Sequence, residues 1–342
     1  MSRALIVHSA GPSVCVQDLG RPGYLAYGLS QGGAADQLAL AEGAALLGQP
    51  EDTAALELAG IGGTFEATED TRIALTGAPM RASIDTNRIV WNASHLLPKG
   101  AQLTIGAAET GSYGYLHLGG GVQTPEMLGA RAAHLAAGLG HPLQSGDEIP
   151  IGPDSEPTGY GFKLEPDQRF QGGTIRILPS LQTGLFAETE IERFETMTFH
   201  RDLRGNRMGV RLIPDGEGLH TEAGLSVLSE VIIPGDVQIT GDGTPFVLLG
   251  ECQTTGGYPR IGSVLPADLP RIVQAQPGCA LQFQFISLES AVSAERQANA
   301  QRAQLRSGVQ PLIRDPHQMQ NLLSFQMISG VSAGDELERT TP

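Results

Sequence analysis

Lysine, cysteine and tryptophan are scarce in this chain of 342 residues. The only lysines are Lys99 and Lys163, the only cysteines are Cys15, Cys252 and Cys279, and there is one tryptophan. An odd number of cysteines without C-x-x-C spacing predicts no disulfide framework. We therefore expect a protein of the reducing cytoplasm.

Long apolar runs are missing as well. The run nearest the N-terminus, Ala4–Val7, has four residues, whereas the apolar segment of a secretory leader has about 7–15. No stretch reaches the roughly 18 apolar residues that suggest a membrane helix. The sequence thus predicts neither a secretory leader nor a membrane span.

Positive charge is in deficit, because 22 lysines and arginines face 37 aspartates and glutamates, for a net charge of −15. The cationic residues are scattered singly, and a negative surface repels a phosphate backbone. The eight histidines are also dispersed, without the spacing of metal ligands. We expect no nucleic-acid partner and no metal site.

Glycine and proline are abundant, with 45 and 22 residues, and they cut the apolar runs to strand length. Several runs alternate apolar and polar residues, which predicts a mainly β protein with antiparallel sheets in a barrel or sandwich. The clearest helix is predicted over 36–47, with Asp36 as its N-cap and Gly48 at its end. Shorter helices are predicted over 125–131 and 267–274.

The length of the chain favours about two domains. A polar stretch rich in glycine and proline separates two predicted β lobes, 1–165 and 166–288. The remainder, 289–342, is predicted to form an exposed helix and a tail. An apolar segment at 321–328 is expected to pair with an edge of its own sheet or with a second copy of the chain.

Three familiar sequence motifs of nucleotide-binding and hydrolase sites are excluded by the residues around them. Neither lysine lies in a Gly-x-x-x-x-Gly-Lys-Ser/Thr loop, so no Walker-type phosphate site is predicted. The glycine clusters 60–63 and 119–121 lack the strand-turn-helix spacing of a dinucleotide site. Residues 28–32 match Gly-x-Ser-x-Gly, but Pro22 precedes them and the predicted helix begins only at Asp36, whereas a nucleophile elbow joins strand directly to helix. We interpret this segment as a glycine-rich loop.

The loop that follows the apolar strand 246–250 carries an amide, two hydroxyls and a phenol beside two glycines. Its polar residues are Gln253, Thr254, Thr255 and Tyr258. Such donors can converge on a carboxylate, an amide or a urea-like group. A Gly-Gly β-turn with two β-forming threonines explains the same residue types equally well, so both interpretations stay open.

Two further polar clusters are present. In 205–212, Asn206 offers both a donor and an acceptor, and Arg207 offers a planar fork suited to a carboxylate or an acyl phosphate. A loop with a stabilising ion pair is the alternative. In 16–24, Arg21 is a polar candidate, although the Gly-Arg-Pro-Gly sequence around it is also typical of a simple turn.

In this order, the motifs resemble the allophanate hydrolase subunit 2 family, also called the biotin-dependent carboxyltransferase-like family, which includes the C-type subunit of bacterial 5-oxoprolinase and the KipA protein. The resemblance runs from about residue 16 to residue 285. Further matching stretches are 33–36, 75–78, 128–131, 229–230, 234–238 and 267–270.

The resemblance implies two cyclophilin-like β-barrel lobes and a carboxyltransferase-like unit formed with a subunit 1 (B-type) partner. In 5-oxoprolinases of this kind a LamB/YcsF-like subunit joins them, and ATP drives the opening of 5-oxoproline to glutamate. This chain is expected to bind no cofactor itself. Two alternatives are a urea-carboxylase-like carboxyltransferase component, which would need biotin on another protein, and a non-enzymatic KipA-like regulator that sequesters a kinase inhibitor.

On this resemblance we expect a site for a small amide-like substrate, shared with the partner protein. Arg207 would stabilise a developing anion, while the Gln/Thr cluster would orient the amide. The expected substrate-binding residues are Asn206, Arg207, Gln253, Thr254, Thr255 and Tyr258, with Arg21, Asp36 and Glu230 in supporting positions. No residue is a convincing nucleophile or base, so the catalytic residues stay unassigned.

The sequence departs from the family pattern at several positions. Gly32 stands where a serine is usual, Ala35 replaces a methionine and Val210 replaces a common tyrosine, while His117 interrupts a normally apolar strand. These changes leave the 253–259 loop intact and leave the subfamily and the substrate open.

Overall fold

The computed structural model describes residues 3–221, 224 and 226–313. The strands up to residue 163 are β1 Ala4–Ala10, β2 Cys15–Gln17, β3 Ala55–Ala59, β4 Ile61–Ala67, β5 Thr71–Gly77, β6 Met80–Ile84, β7 Asn87–Ile89, β8 Ala93–Leu97, β9 Gln102–Ala108, β10 Tyr113–Leu118, β11 Glu148–Pro150 and β12 Phe162–Lys163. The later strands are β13 Gly173–Leu178, β14 Phe199–Asn206, β15 Gly209–Pro214, β16 Glu230–Val231, β17 Asp236–Ile239, β18 Pro245–Leu248, β19 Thr255–Gly256, β20 Arg260–Val264, β21 Ala280–Phe285 and β22 Gln310–Pro311. The α-helices are α1 Gln37–Leu47, α2 Glu188–Thr196, α3 Leu269–Gln274 and α4 Leu288–Ala303. The predicted mainly β fold is thus confirmed.

The N-terminal lobe consists of two sheets with a shared apolar core. One has the strand order β11-β1-β4-β9-β6-β7, and the other β2-β3-β10-β5-β8-β12-β22. In β9, Leu103 and Ile105 are buried while Gln102 and Thr104 are exposed, which is the alternation expected of a strand with one wet face. Strand β5 is buried along its whole length, because α1 packs against its outer face.

The C-terminal lobe is a closed barrel with the strand order β13-β20-β17-β18-β15-β14-β21. All its pairings are antiparallel except that of β13 with β21. Phe194 of α2 stacks on Phe283 with ring centroids 4.8 Å apart, and Phe199 meets Phe283 edge to face. These buried aromatic rings anchor α2 to the barrel.

The two lobes share a core along a boundary that we call the seam. Leu40, Tyr113 and Tyr115 of the N-terminal lobe belong to the same buried cluster as Val237 and Phe283 of the barrel. Burial of apolar side chains from both lobes stabilises their contact. The seam is therefore part of the folded core.

Helix α1 has the predicted ends. The Asp36 carboxylate accepts from the backbone N–H groups of Leu38 and Ala39, and Gly48 ends the helix at φ 66°. Glycine reaches this left-handed conformation without a steric penalty. The predictions of a helix near 267–274 and of one after residue 288 are also confirmed, by α3 and α4.

The predicted helix over 125–131 is wrong. The segment is a turn in which Leu128 and Gly129 have φ values of 54° and 79°, and Met127 and Ala130 exchange backbone hydrogen bonds. Two successive left-handed residues are incompatible with a right-handed helix. Among the described residues, no helix is long and apolar enough to cross a membrane.

After α4 the chain returns to the N-terminal lobe. Strand β22 pairs with β12, so that Gln310 lies opposite Lys163 and Pro311 opposite Phe162. The apolar segment predicted at 321–328 lies outside the described residues.

Candidate functional site

The 253–259 loop forms part of a small two-stranded flap. Strand β19 pairs with β16, with Thr255 opposite Val231, and Thr254 O accepts from the Ile232 N–H at 3.1 Å. The flap holds the loop backbone through these hydrogen bonds. The side chains are thereby left available for other partners.

Those side chains face outward. Gln253 and Thr255 are exposed, Thr254 is half-buried, and Tyr258 is 44% exposed. Within residues 3–221, 224 and 226–313, none of the four forms a side-chain hydrogen bond. Donors and acceptors without partners on a backbone fixed by pairing are suited to a polar ligand.

Glu230 holds the strand on the other side of this flap. Its carboxylate accepts from Gln182 Nε2 at 2.8 Å and from Arg260 Nη2 at 2.7 Å. Arg260 also reaches Asp236 Oδ2 at 3.2 Å and Val231 O at 3.1 Å. The structure thus gives Glu230, a predicted supporting residue, a positioning contact beside the loop.

Asn206 and Arg207 occupy the turn between β14 and β15, yet they point to different environments. Asn206 is exposed, and its Oδ1 accepts from the Met208 N–H at 2.8 Å, which fixes the turn. Arg207 is buried at the seam. Its Nε donates to Glu251 Oε1 at 2.5 Å, and its two Nη groups donate to Glu57 and to Gly33 O.

The fork of Arg207 is therefore occupied by the protein's own acceptors. Burial lowers the pKa of Arg207, but the charges of Glu57 and Glu251 outweigh burial and raise this pKa well above its usual value. Glu57 lies in β3 and Glu251 follows β18, so Arg207 connects the two lobes. In this arrangement Arg207 positions the seam, and its guanidinium is not open to a ligand.

The polar network continues from Glu57 to Asp36. Tyr115 donates to Glu57 Oε2 at 2.7 Å and accepts from the Asp36 N–H at 2.8 Å. The Asp36 carboxylate pairs with Arg169 Nε at 2.8 Å and accepts from Gln274 Nε2 at 2.8 Å. Asp36 thus caps α1 and connects it to the second lobe, so its contacts are structural.

Arg169 completes this network. Its Nη groups donate to both oxygens of Glu42 at 2.7 and 2.8 Å. Burial raises the pKa of Glu42, and the Arg169 charge opposes this shift. A bidentate arginine contact is the strongest compensation for a buried carboxylate.

Arg21 lies near another buried cluster at the seam. It is 1% exposed and donates through Nε to Met127 O at 3.3 Å and through Nη2 to Ala132 O. Its Nη1 is buried without a partner among the described residues. Burial lowers the pKa of Arg21, and Asp18 and Glu251 oppose this shift.

Close to Arg21, Ser30 and His134 form a buried pair, with Ser30 Oγ 2.9 Å from His134 Nε2. Glu251 Oε2 is 3.9 Å from His134 Nδ1, which gives a row of serine, histidine and carboxylate. However, His134 Nδ1 accepts from the Ala137 N–H at 3.2 Å. Burial lowers the pKa of His134 and so favours the neutral ring, whose proton then lies on Nε2. Ser30 is an acceptor in this tautomer, so the row is not arranged as a nucleophilic triad.

The motifs singled out in the sequence converge at this point. Gly32 N–H donates to Gly250 O at 2.9 Å, and Glu251 N–H donates to Arg207 O at 2.9 Å. The Ala136 N–H donates to Glu251 Oε2 at 2.9 Å. Segments that are far apart in sequence therefore meet around Glu251, and the 253–259 loop leaves the seam directly after it.

Sequence reasoning missed the residues that build the seam. A carboxylate inside the apolar strand 55–59 is a usable signal for Glu57, since a buried charge requires a partner. Glu251 lies two residues before the first residue of the predicted loop, but nothing local marks it. The partners missed in the sequence are Glu42, Glu57, Tyr115, His134, Arg169, Glu251 and Gln274.

Two open grooves lie away from the flap. Their volumes are about 270 and 550 Å³, and both are lined by Glu42, Asp167 and Arg169. No residue of the 253–259 loop lines either groove. No cluster of histidine, cysteine or carboxylate side chains suited to a metal ion occurs in the part of the chain that the structure describes.

A closed barrel joined to a two-sheet lobe, with polar loops meeting at the seam, defines a carboxyltransferase-type fold. Residues 27–285 match the family described as carboxyltransferase domain, subdomain A and B. The chain belongs to this family.

Two curated relatives are similar over most of their length, and both are C-type subunits of a 5-oxoprolinase. The chain is 34% identical to that of Escherichia coli K12 over 294 residues, which cover 84% of this chain and 93% of the relative. It is 32% identical to the C-type subunit of Haemophilus influenzae Rd over 289 residues, which cover 82% of this chain and 91% of that relative.

Solved structures agree with the fold. The protein TTHA0988 superimposes with a TM-score of 0.76 and 29% identity, over 83% of this chain and 56% of that one. Urea amidolyase of K. lactis superimposes with a TM-score of 0.78 and 24% identity, over 92% of this chain and 21% of that one. The chain thus spans about half of the first protein and a fifth of the second.

Proposed function

We propose that this chain is the C-type subunit of a multi-subunit, ATP-dependent 5-oxoprolinase and that it works in the cytoplasm. The observation that carries the proposal is 34% identity to a 5-oxoprolinase subunit of this type across 93% of that protein. The partners in this proposal are a B-type subunit and a LamB/YcsF-like subunit. ATP is used by the complex, and this chain binds no cofactor of its own.

The proposed chemistry explains why ATP is required. A lactam resists hydrolysis because its amide is resonance-stabilised. Transfer of the terminal phosphoryl group of ATP to the amide carbonyl oxygen activates the carbon. Water then adds to this carbon, and the C–N bond breaks as the nitrogen takes up a proton, which leaves an acyl phosphate on the opened chain. A second water molecule hydrolyses the acyl phosphate to glutamate and phosphate. Remote binding contacts then serve to orient the reacting group.

In this proposal the flap supplies the substrate contacts of this chain. The Gln253 amide and the hydroxyls of Thr254, Thr255 and Tyr258 have no intramolecular partners among the described residues. The backbone of Thr254 and Thr255 is fixed by pairing with residues 231–232. These side chains can therefore orient a small amide without first breaking other hydrogen bonds. Arg207 contributes by holding Glu57 and Glu251 in the seam.

The test is a co-purified complex, assayed for ATP hydrolysis stimulated by 5-oxoproline and for release of glutamate and phosphate. A complex reconstituted without this chain is the matched control, and its stimulated activity should be lost. Absence of stimulation in the intact complex would contradict the proposal.

A second candidate is a carboxyltransferase component of a urea-carboxylase-like system, favoured by a 26% identity to the urea amidolyase of Lachancea kluyveri. That function requires carboxyl transfer from a biotinylated carrier. Detection of such a carrier in the purified complex, together with urea-dependent activity, would favour it. A complex that binds neither small substrate, yet captures a kinase inhibitor, would instead indicate a regulator.

A further inference from the structure

Five arginines are buried in the described part of the chain, and four of them are held by acceptors of their own protein. Arg72, Arg169 and Arg207 pair with carboxylates, and Arg21 donates to two carbonyl oxygens. Arg201 differs from these. It is 7% exposed, but its guanidinium forms no ion pair or hydrogen bond with the described residues, and its Nε is fully buried.

Arg201 is firmly placed by its backbone. Its N–H donates to Cys279 O at 3.1 Å, and its carbonyl accepts from the Gly278 N–H at 2.8 Å. Strand β14 bulges between Arg201 and Gly205, and a bulge re-aims the side chains beside it. The unpartnered guanidinium is therefore attached to a rigid barrel strand.

The surroundings of Arg201 provide no free counter-charge. Burial lowers the pKa of Arg201, while the Tyr113 phenol of the other lobe and the neighbouring Asp202 carboxylate act against this shift. Asp202 is engaged by Arg204 at 2.7 Å and by Arg211 at 3.2 Å. A buried cation without an anion is unfavourable, so the site favours an incoming oxyanion.

Gly205 lies close to this guanidinium. A Cβ atom built on Gly205 would lie 2.9 Å from Arg201 Nη2, so any larger residue would displace the side chain. The next residue is Asn206, a predicted substrate contact. Cys279, whose carbonyl accepts from the Arg201 N–H, packs against the buried cluster that the two lobes share, which places Arg201 beside the seam.

We propose that Arg201 binds an oxyanion of a ligand that reaches its guanidinium beside the seam. A guanidinium fork matches both a carboxylate and a phosphoryl group. Under the proposed function, on which this identification of the ligand rests, the oxyanion is the carboxylate of 5-oxoproline or the terminal phosphate of ATP.

The test compares the intact complex with one that carries Arg201→Met. The KM for 5-oxoproline should rise about 100-fold if the carboxylate is bound, and the KM for ATP should rise by a similar factor if the phosphate is bound. Gly205→Ala should raise whichever KM Arg201→Met raises, but only about 10-fold, because the added methyl group displaces the guanidinium without removing it. Unchanged KM values for both substrates in Arg201→Met would overturn the inference.

Arg81→Met is the matched control, because Arg81 is an exposed arginine that pairs with Glu109 in the N-terminal lobe. It should leave both KM values unchanged. The melting temperature of Arg201→Met should not fall, because no ion pair is broken. A fall in melting temperature with unchanged KM would indicate a structural arginine.

If the complex shows no activity with 5-oxoproline, anion binding is measured directly by calorimetric titration. The full chain is titrated with 5-oxoproline and, separately, with inorganic phosphate. If the original chain binds one of these anions and the Arg201→Met chain does not, the role of Arg201 is supported even though the proposed function is wrong. No binding of either anion to the original chain would overturn it.

Discussion

The Nε of Arg169 lies 2.8 Å from Oδ2 of Asp36, although the two residues are 133 positions apart in the sequence. Asp36 caps the first helix of one lobe, and Arg169 precedes the first strand of the other. This contact and the Arg207 contact to Glu57 cross the seam as buried ion pairs, while Glu251 pairs with Arg207 from within the C-terminal lobe. The two lobes are thus held together by charge as well as by their shared apolar core.

Arg169→Met should destabilise the protein by about 3–5 kcal/mol, because Asp36 and Glu42 would remain buried without a counter-charge. The free energy of unfolding in urea measures this effect. The control Arg81→Met removes an exposed ion pair with Glu109 and should change the free energy by less than about 1 kcal/mol. Equal effects of the two variants would contradict the account of the seam.

His117 should make the protein less stable in acid. Burial lowers the pKa of His117 to about 3, whereas the unfolded chain titrates near 6.5. As pH falls from about 6.5 towards 3, the unfolded state binds a proton that the folded state does not, so stability is lost by up to about 1.4 kcal/mol per pH unit.

The measurement for His117 is the free energy of unfolding as a function of pH. His117→Gln should flatten the slope within this window, whatever its effect at neutral pH. His141→Gln, at an exposed position, should leave the slope unaltered. A slope that persists in His117→Gln would assign the acid sensitivity to other groups.

Gly43→Ala should destabilise the protein by about 1–3 kcal/mol, although alanine is a better helix former than glycine by about 1 kcal/mol. The reason is that a Cβ on Gly43 would lie 2.3 Å from ring atoms of His117. Thermal unfolding measures the loss. In a His117→Ala background the same change should be neutral or stabilising, and Gly184→Ala, which meets open space, is the control.

Thr255→Val should lower kcat/KM of the complex for 5-oxoproline by about 100-fold, or about 2.7 kcal/mol, because the exposed hydroxyl would be lost from the flap. The strand tolerates valine, so the free energy of unfolding should change by less than about 0.5 kcal/mol. Steady-state kinetics and thermal unfolding test both expectations. Thr158→Val, at an exposed position, is the control, and a parallel loss of stability in Thr255→Val would favour a structural turn.

Local patterns predicted most of the secondary structure correctly, because helix caps and alternation act over a few residues. Asp36 and Gly48 bound α1 as expected. The pattern failed at 125–131, where Leu128 and Gly129 adopt left-handed conformations that sequence alone does not require. The ligand-binding role of Gln253 and Thr255 stays a prediction, and the structure shows that both side chains are exposed.

The sequence by itself determined the mainly β architecture, the acidic charge and the order of motifs that identifies the family. Only the tertiary structure decided which partners the side chains of those motifs have. Arg207 and Glu57 are 150 residues apart in the sequence, and their contact depends on how the two lobes pack. Because ion pairing and burial depend on such distant contacts, the structure alone distinguishes Arg207, whose charge is compensated, from Arg201, whose charge is not.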